Sequence, residues 1–331
     1  MEIDQPELPA DDLESHRADF DEFYKQGSIS NYFNTRLAVL AAVNEHSKQF
    51  VTWANEGINF HGLRITIPSV GSDDGLPDPR SANSDPLQWY IQTETISLQH
   101  HALETLLRLY TGLIHAGHWL DPLKAVTDRD RNLVELVKQH ITRKLTNAMR
   151  GDVSYLLLGE PELRDDADWL AVVDNLSGIL QVLARQWLDG RRTYNAIKHG
   201  LLISQGDKSL RAGLTGGDMR TISDGPSITC LNHTNWGSRT PPEHPQGGKT
   251  RDWSVDTRWI SFEQAGLLIT VACVLIDCLW SLAVARWSRA GAEEVTVANL
   301  DPAKINPMML EEAGPSTQRM SRNKFTEIKR D

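Results

Sequence analysis

The segment Arg191-Arg-Thr-Tyr-Asn-Ala-Ile-Lys-His-Gly200 gathers two arginines, a lysine, a histidine and an asparagine within ten residues. On a helix, Asn195, Lys198 and His199 fall at i, i+3 and i+4, with Arg191 and Arg192 four and three residues before Asn195. If the helix continues through Gly190, these polar groups share one side, while Tyr194, Ile197 and Leu201 take the other. A histidine beside a cation is the minimum set for cutting RNA without a metal. The imidazole moves the 2′-OH proton, and the cation stabilises charge on the phosphate. The same residues also read as a plain helix end: Lys198 and His199 sit near the last carbonyls, and Gly200 suits the left-handed position that follows. Both readings stay open on the residues alone.

Other chemistries find little footing. There is no G-x-G-x-x-G after a strand, no Walker lysine loop, no G-x-S-x-G elbow and no H-E-x-x-H. Histidines cluster as His100-His101 and His115-x-x-His118, and His101 precedes Glu104 by three residues. Carboxylate-bridged metal bundles use Glu-x-x-His on two helices, the reverse order, so these histidines read as surface or packing positions. Neither a metal nor a cofactor is expected.

The elements that must carry the polar segment are helical. Asp165 and Asp166 can cap a helix running to His199, with Trp169, Val172 or Val173, Leu176, Ile179 or Leu180, Leu183 and Trp187 as its apolar stripe. Asp189-Gly190 is the point where it can kink or break. A second long helix is predicted from Leu87 to about Ala116, with Glu104 and Arg108 as an i,i+4 pair. Others are predicted from Ser28-Asn31 through His46 and from Asp130 to Met149. The last, Ser261 to Trp287, has Ser261 as its cap. Its core from Ala265 to Ala285 is about long enough to span a bilayer. Asp277 near the middle argues instead for a buried core helix in which that carboxylate finds a polar partner. Short strands are predicted near 61–67 and 227–260, the second as a hairpin. The fold class expected is mainly α, a helical bundle with a small β-hairpin or short-strand subdomain. The expected organisation is an acidic disordered head over 1–28, one mainly helical domain over 29–290, and a flexible polar tail over 291–331.

Tyr194-Asn195-Ala196-Ile197-Lys198-His199 resembles the R-N-x-x-x-H motif of the HEPN superfamily (higher eukaryotes and prokaryotes nucleotide-binding domains). The Asn and the His match at that spacing. Tyr194 occupies the position of the motif's Arg, and Arg192 stands at the six-residue limit of the family's Arg-to-His spacing. The resemblance covers residues 87 to 200 and the final helix. It implies a bundle that pairs as a homodimer, with two motifs facing one cleft and RNA or nucleotide as the ligand. In a ribonuclease of this kind His199 would be general base or acid, Arg192 and Lys198 would stabilise the phosphate, and Asn195 would orient His199 or the phosphate. Arg191 and Tyr194 would contribute to nucleotide or RNA binding. Many members of the group are non-catalytic binding or assembly modules, and Tyr194 in place of Arg points toward that alternative.

Charge narrows the ligand's mode of binding. The chain carries a net −10, and residues 1–24 hold nine acidic side chains against Arg17 alone. The body beyond them is therefore nearly neutral, without the basic stripe that general phosphate-backbone binding needs, so any RNA contact must be local. Cys230, Cys273 and Cys278 form neither a C-x-x-C pair nor an even framework, and residues 1–22 lack the basic and apolar regions of a signal peptide. A cytoplasmic protein is expected. Trp236, Trp253 and Trp259 are taken as packing residues.

Overall fold

The computed structural model describes residues 17–25, 28–56, 58–60, 63–65, 86–127, 132–198, 203–207, 210–212, 220–223, 226–235, 251–259, 261–288, 295–313 and 317–318. They form α1 (Arg17–Lys25), α2 (Ser30–Glu45), α3 (Ser47–Glu56), β1 (Ile58–Phe60), β2 (Leu63–Ile65) and α4 (Pro86–Ile114). Then come α5 (Asp121–Thr127), α6 (Leu133–His140), α7 (Asn147–Leu158), α8 (Ala167–Lys198), β3 (Ile203–Asp207), β4 (Leu210–Ala212) and β5 (Arg220–Ser223). The chain closes with β6 (Pro226–Asn235), β7 (Arg251–Trp259), α9 (Phe262–Trp287), α10 (Pro307–Ala313) and β8 (Thr317–Gln318). The protein is mainly α, with the expected hairpin formed by β6 and β7.

The chain divides into two compact units, 1–34 with 102–185 and 270–307, and 35–101 with 186–269 and 308–331. The span 29–290 expected as one domain is thus shared between them, with parts of head and tail. The first unit is helical. Its core takes Leu103, Leu106, Leu107 and Tyr110 from α4, Val153 and Leu157 from α7, Leu176, Ile179, Leu180 and Leu183 from α8, and Leu275, Ile276 and Leu279 from α9. These are the three- and four-residue spacings of an apolar helix face.

Three sequence expectations need correction in this unit. The acidic head is not disordered throughout: α1 is a helix whose Tyr24 is buried, stacks on Trp280 at 5.3 Å between centroids, and donates its hydroxyl to the Trp119 carbonyl. The polar tail is likewise ordered over 295–313. Ala298 N–H bonds the Leu157 carbonyl at 2.8 Å, and Pro307 lies where a Cβ on Gly178 would come within 2.5 Å of it, so only glycine admits that approach. Finally, the helix predicted from Asp130 to Met149 is two helices. Thr146 leaves the helical conformation and its hydroxyl accepts the Met149 N–H at 3.2 Å, starting α7.

Asp277 has the polar partners a core helix requires. The Ser30 hydroxyl donates to its Oδ2 at 2.8 Å, and the Ser28 hydroxyl to Oδ1. Both α8 and α9 are long and apolar enough to cross a membrane, and in α9 the most apolar stretch is two-thirds buried within the protein.

The second unit holds the sheet. Among the described residues, β3-β6-β7-β8 is antiparallel, with β6 between β3 and β7. β1-β2 and β4-β5 are separate two-stranded pairs, and β2 falls inside the strand expected near 61–67. Alternation along β6 decides its faces: Ile228 and Cys230 are buried with Ile96 of α4, Ile197 of α8 and Ala265 of α9, while the intervening Thr229 hydroxyl meets that of Thr257 across the ladder at 3.0 Å.

Candidate functional site

Helix α8 positions the polar segment. Asp166 Oδ1 accepts the Trp169 N–H at 2.8 Å, capping the helix, which then runs unbroken through Asp189 and Gly190 to Lys198. Gly190 does not kink it. Continuity brings Arg192, Asn195 and Lys198, three residues apart, onto one exposed side, and turns Thr193 and Ile197 inward to the core beneath the sheet. Arg191 is half-buried at the edge of that side, its guanidinium 5.4 Å from the Trp187 ring centroid. Among the described residues no carboxylate pairs with Arg191, Arg192 or Lys198. His199, Gly200 and Leu201 lie outside the described residues.

Tyr194 is engaged differently. Its ring stacks on His100 at 4.1 Å and 15°, meets His101 edge-on at 5.1 Å, and its hydroxyl is hydrogen-bonded to His101 Nε2. His100 continues the stack to Trp187 at 6.0 Å. The aromatic ladder therefore joins α4 to α8. His100 is buried, and burial first, then the charges of His101, Arg191 and Arg258, lower its pKa to about 3, so the ring is neutral in the folded protein. Arg258 of β7 is buried too and donates to the carbonyl of Asp189, tying the strand to the last turns of α8. Cys230 sits in the same unit with a thiol that burial pushes up to about 11, which leaves it a poor nucleophile.

The structure thus brings together Arg191, Arg192, Asn195 and Lys198 from the sequence reading, and sets Tyr194 into an internal contact. It adds His101 and Arg258, which the sequence reading did not attach to this segment. The adjacent pair His100-His101 was a visible signal for the first; nothing local distinguishes Arg258 from an ordinary strand residue. Trp259, taken as a packing residue, is buried.

Chemically, the end of α8 offers guanidinium and ammonium donors with Asn195 as an amide donor and acceptor, the groups that hold a phosphate oxygen. In the first unit a cavity of about 300 Å³ is walled by Arg108, His115, Asp121, Lys124, Leu133 and Leu136. Gly112 stands at its edge, where a Cβ would come within 2.3 Å of Ala125 Cβ. The chain matches no protein-family model, no curated protein and no solved structure.

Proposed function

We propose that the end of α8 is a nucleotide- or RNA-binding face of HEPN type, with Arg192, Asn195 and Lys198 as its contacts to phosphate and Arg191 at its edge. The observation that carries this reading is the alignment of those three side chains on an unbroken helix, exposed and without carboxylate partners among the described residues. In a catalytic version His199 moves the proton and the cations stabilise phosphate charge, without a metal. The protein then acts as a homodimer, as the resemblance implies, and in the cytoplasm, the compartment its unpaired cysteines suit.

A non-catalytic binding or assembly module is the second reading, favoured by one specific observation. Tyr194, at the motif's Arg position, spends its ring and hydroxyl on His100 and His101 instead of offering a cation. Cleavage separates the two. Mixed RNA in the presence of chelator is cut by wild type and not by His199→Ala, at unchanged melting temperature, if the protein is a ribonuclease. Well-folded wild type that binds RNA without cutting it supports the module. Binding itself is tested by Arg192→Ala/Lys198→Ala, which should weaken RNA affinity and lower the salt dependence of log K by about 1.4 for two lost single-strand phosphate contacts. Affinity unchanged in that double variant removes the face from consideration.

A further inference from the structure

His115, at the carboxyl end of α4, and His140, the last residue of α6, direct their Nε2 atoms at each other across 3.4 Å, with the rings at 71°. Two imidazoles that meet nitrogen to nitrogen have two chemical explanations. A shared proton is one, since a neutral ring can accept from its partner's N–H. A metal is the other. Zinc–nitrogen bonds of about 2.0–2.1 Å at the tetrahedral angle hold two ligating nitrogens about 3.3–3.4 Å apart. The observed separation lies at that value and at the long end for a hydrogen bond.

The surroundings favour the metal. His115 is exposed and His140 half-buried, so an ion can enter from solvent. Asp152 of α7 lies close enough to both rings for its charge to act on them, and burial raises its pKa while the two imidazoles oppose the rise. Tyr110 lies near Asp152, fully buried, and its hydroxyl has no hydrogen-bond partner among the described residues. An orphaned buried hydroxyl is costly unless water or a further ligand answers it. His115 also lines the 300 Å³ cavity, beside Lys124 and Arg108. Among the described residues no group of three His, Cys, Asp or Glu side chains is placed to hold an ion, so the remaining coordination positions belong to water or to a bound ligand.

We propose that Nε2 of His115 and Nε2 of His140 form a two-nitrogen site for a divalent transition metal of the zinc class, open to water or an anionic ligand at its other positions. Imidazole nitrogen selects zinc, nickel or copper over magnesium and calcium, which prefer oxygen. The site is independent of the face at the end of α8.

The test titrates the full chain, free of any added histidine tag, with zinc chloride by calorimetry, with magnesium chloride as the counter-probe. One zinc per chain, no magnesium, and a loss of more than about tenfold in affinity in both His115→Gln and His140→Gln support the site. No zinc binding by wild type, or undiminished binding by either variant, overturns it. Carbethoxylation of the unaltered chain, mapped by mass spectrometry, repeats the question without a substitution: zinc should protect His115 and His140 together, and reaction of either at its zinc-free rate sinks the proposal.

Discussion

His100 is the residue whose protonation the folded chain resists most plainly. Enclosed against Tyr194 and Trp187 with Arg191 and Arg258 nearby, it has its pKa lowered to about 3 from 6.5. Between those two values the unfolded chain takes up a proton that the folded chain refuses, so protonation stabilises the unfolded state. Stability should therefore fall as pH drops below about 6.5 and be indifferent to this ring above it. Denaturant midpoints at pH 7 and pH 5 measure the effect, and in His100→Phe, which keeps an aromatic ring in the stack, the difference between them should shrink. An equal drop in both proteins would place the acid sensitivity elsewhere. The same enclosure decides between the surface and packing roles that the sequence leaves open for His100: a His-His pair looks alike in either role, and only the facing helix decides.

At the scale of elements, two helical glycines make opposite demands. A Cβ on Gly112 of α4 would stand 2.3 Å from the Cβ of Ala125 in α5, so the two helices must part to admit it. Gly112→Ala should cost about 1–3 kcal/mol. A Cβ on Gly190 of α8 meets His100 Nδ1 at 3.5 Å and Arg258 Nη1 at 3.7 Å, ordinary contacts, and the helix there is already regular. Gly190→Ala should stabilise by about 0.5–1 kcal/mol, because alanine loses less backbone entropy in a helix. Chemical denaturation of the two variants reads both signs in one experiment. The Asp189-Gly190 pair looks like a helix breaker in the sequence because intrinsic propensity is all that can be weighed there. The Arg258 bond to the Asp189 carbonyl and the ladder of His100, Tyr194 and Trp187 are what override it.

For the molecule as a whole, all three cysteines report on the integrity of both units. Cys230 belongs to the unit with the sheet, Cys273 and Cys278 to the helical one, and each thiol is buried and free. Burial pushes Cys230 up to about 11 and the other two to about 12. Thiolate is the reactive form, so a maleimide at neutral pH should label none of the three in the native protein and all three in denaturant. Rapid native labelling of Cys230 alone would mean that the sheet unit opens while the helical unit stays closed.

What could be read from the chain without its fold was the periodic part. The apolar stripe of α8, the Asp166 and Ser261 caps, the long helix expected from Leu87, and the β6-β7 hairpin all rest on spacing and cap chemistry that act within a few residues. The need of Asp277 for polar partners was legible for the same reason, since an apolar helix cannot leave a carboxylate bare. Tertiary structure alone decided which partners. Ser28 and Ser30 reach Asp277 from nearly 250 residues away, and Tyr24 gives order to an acidic segment whose composition argues for disorder. His140 faces His115 across 25 residues and two helices. Such pairings carry no local signature, because burial and close approach are properties of the packed chain, and side chains far apart in sequence acquire common chemistry only when helices bring them to hydrogen-bond distance.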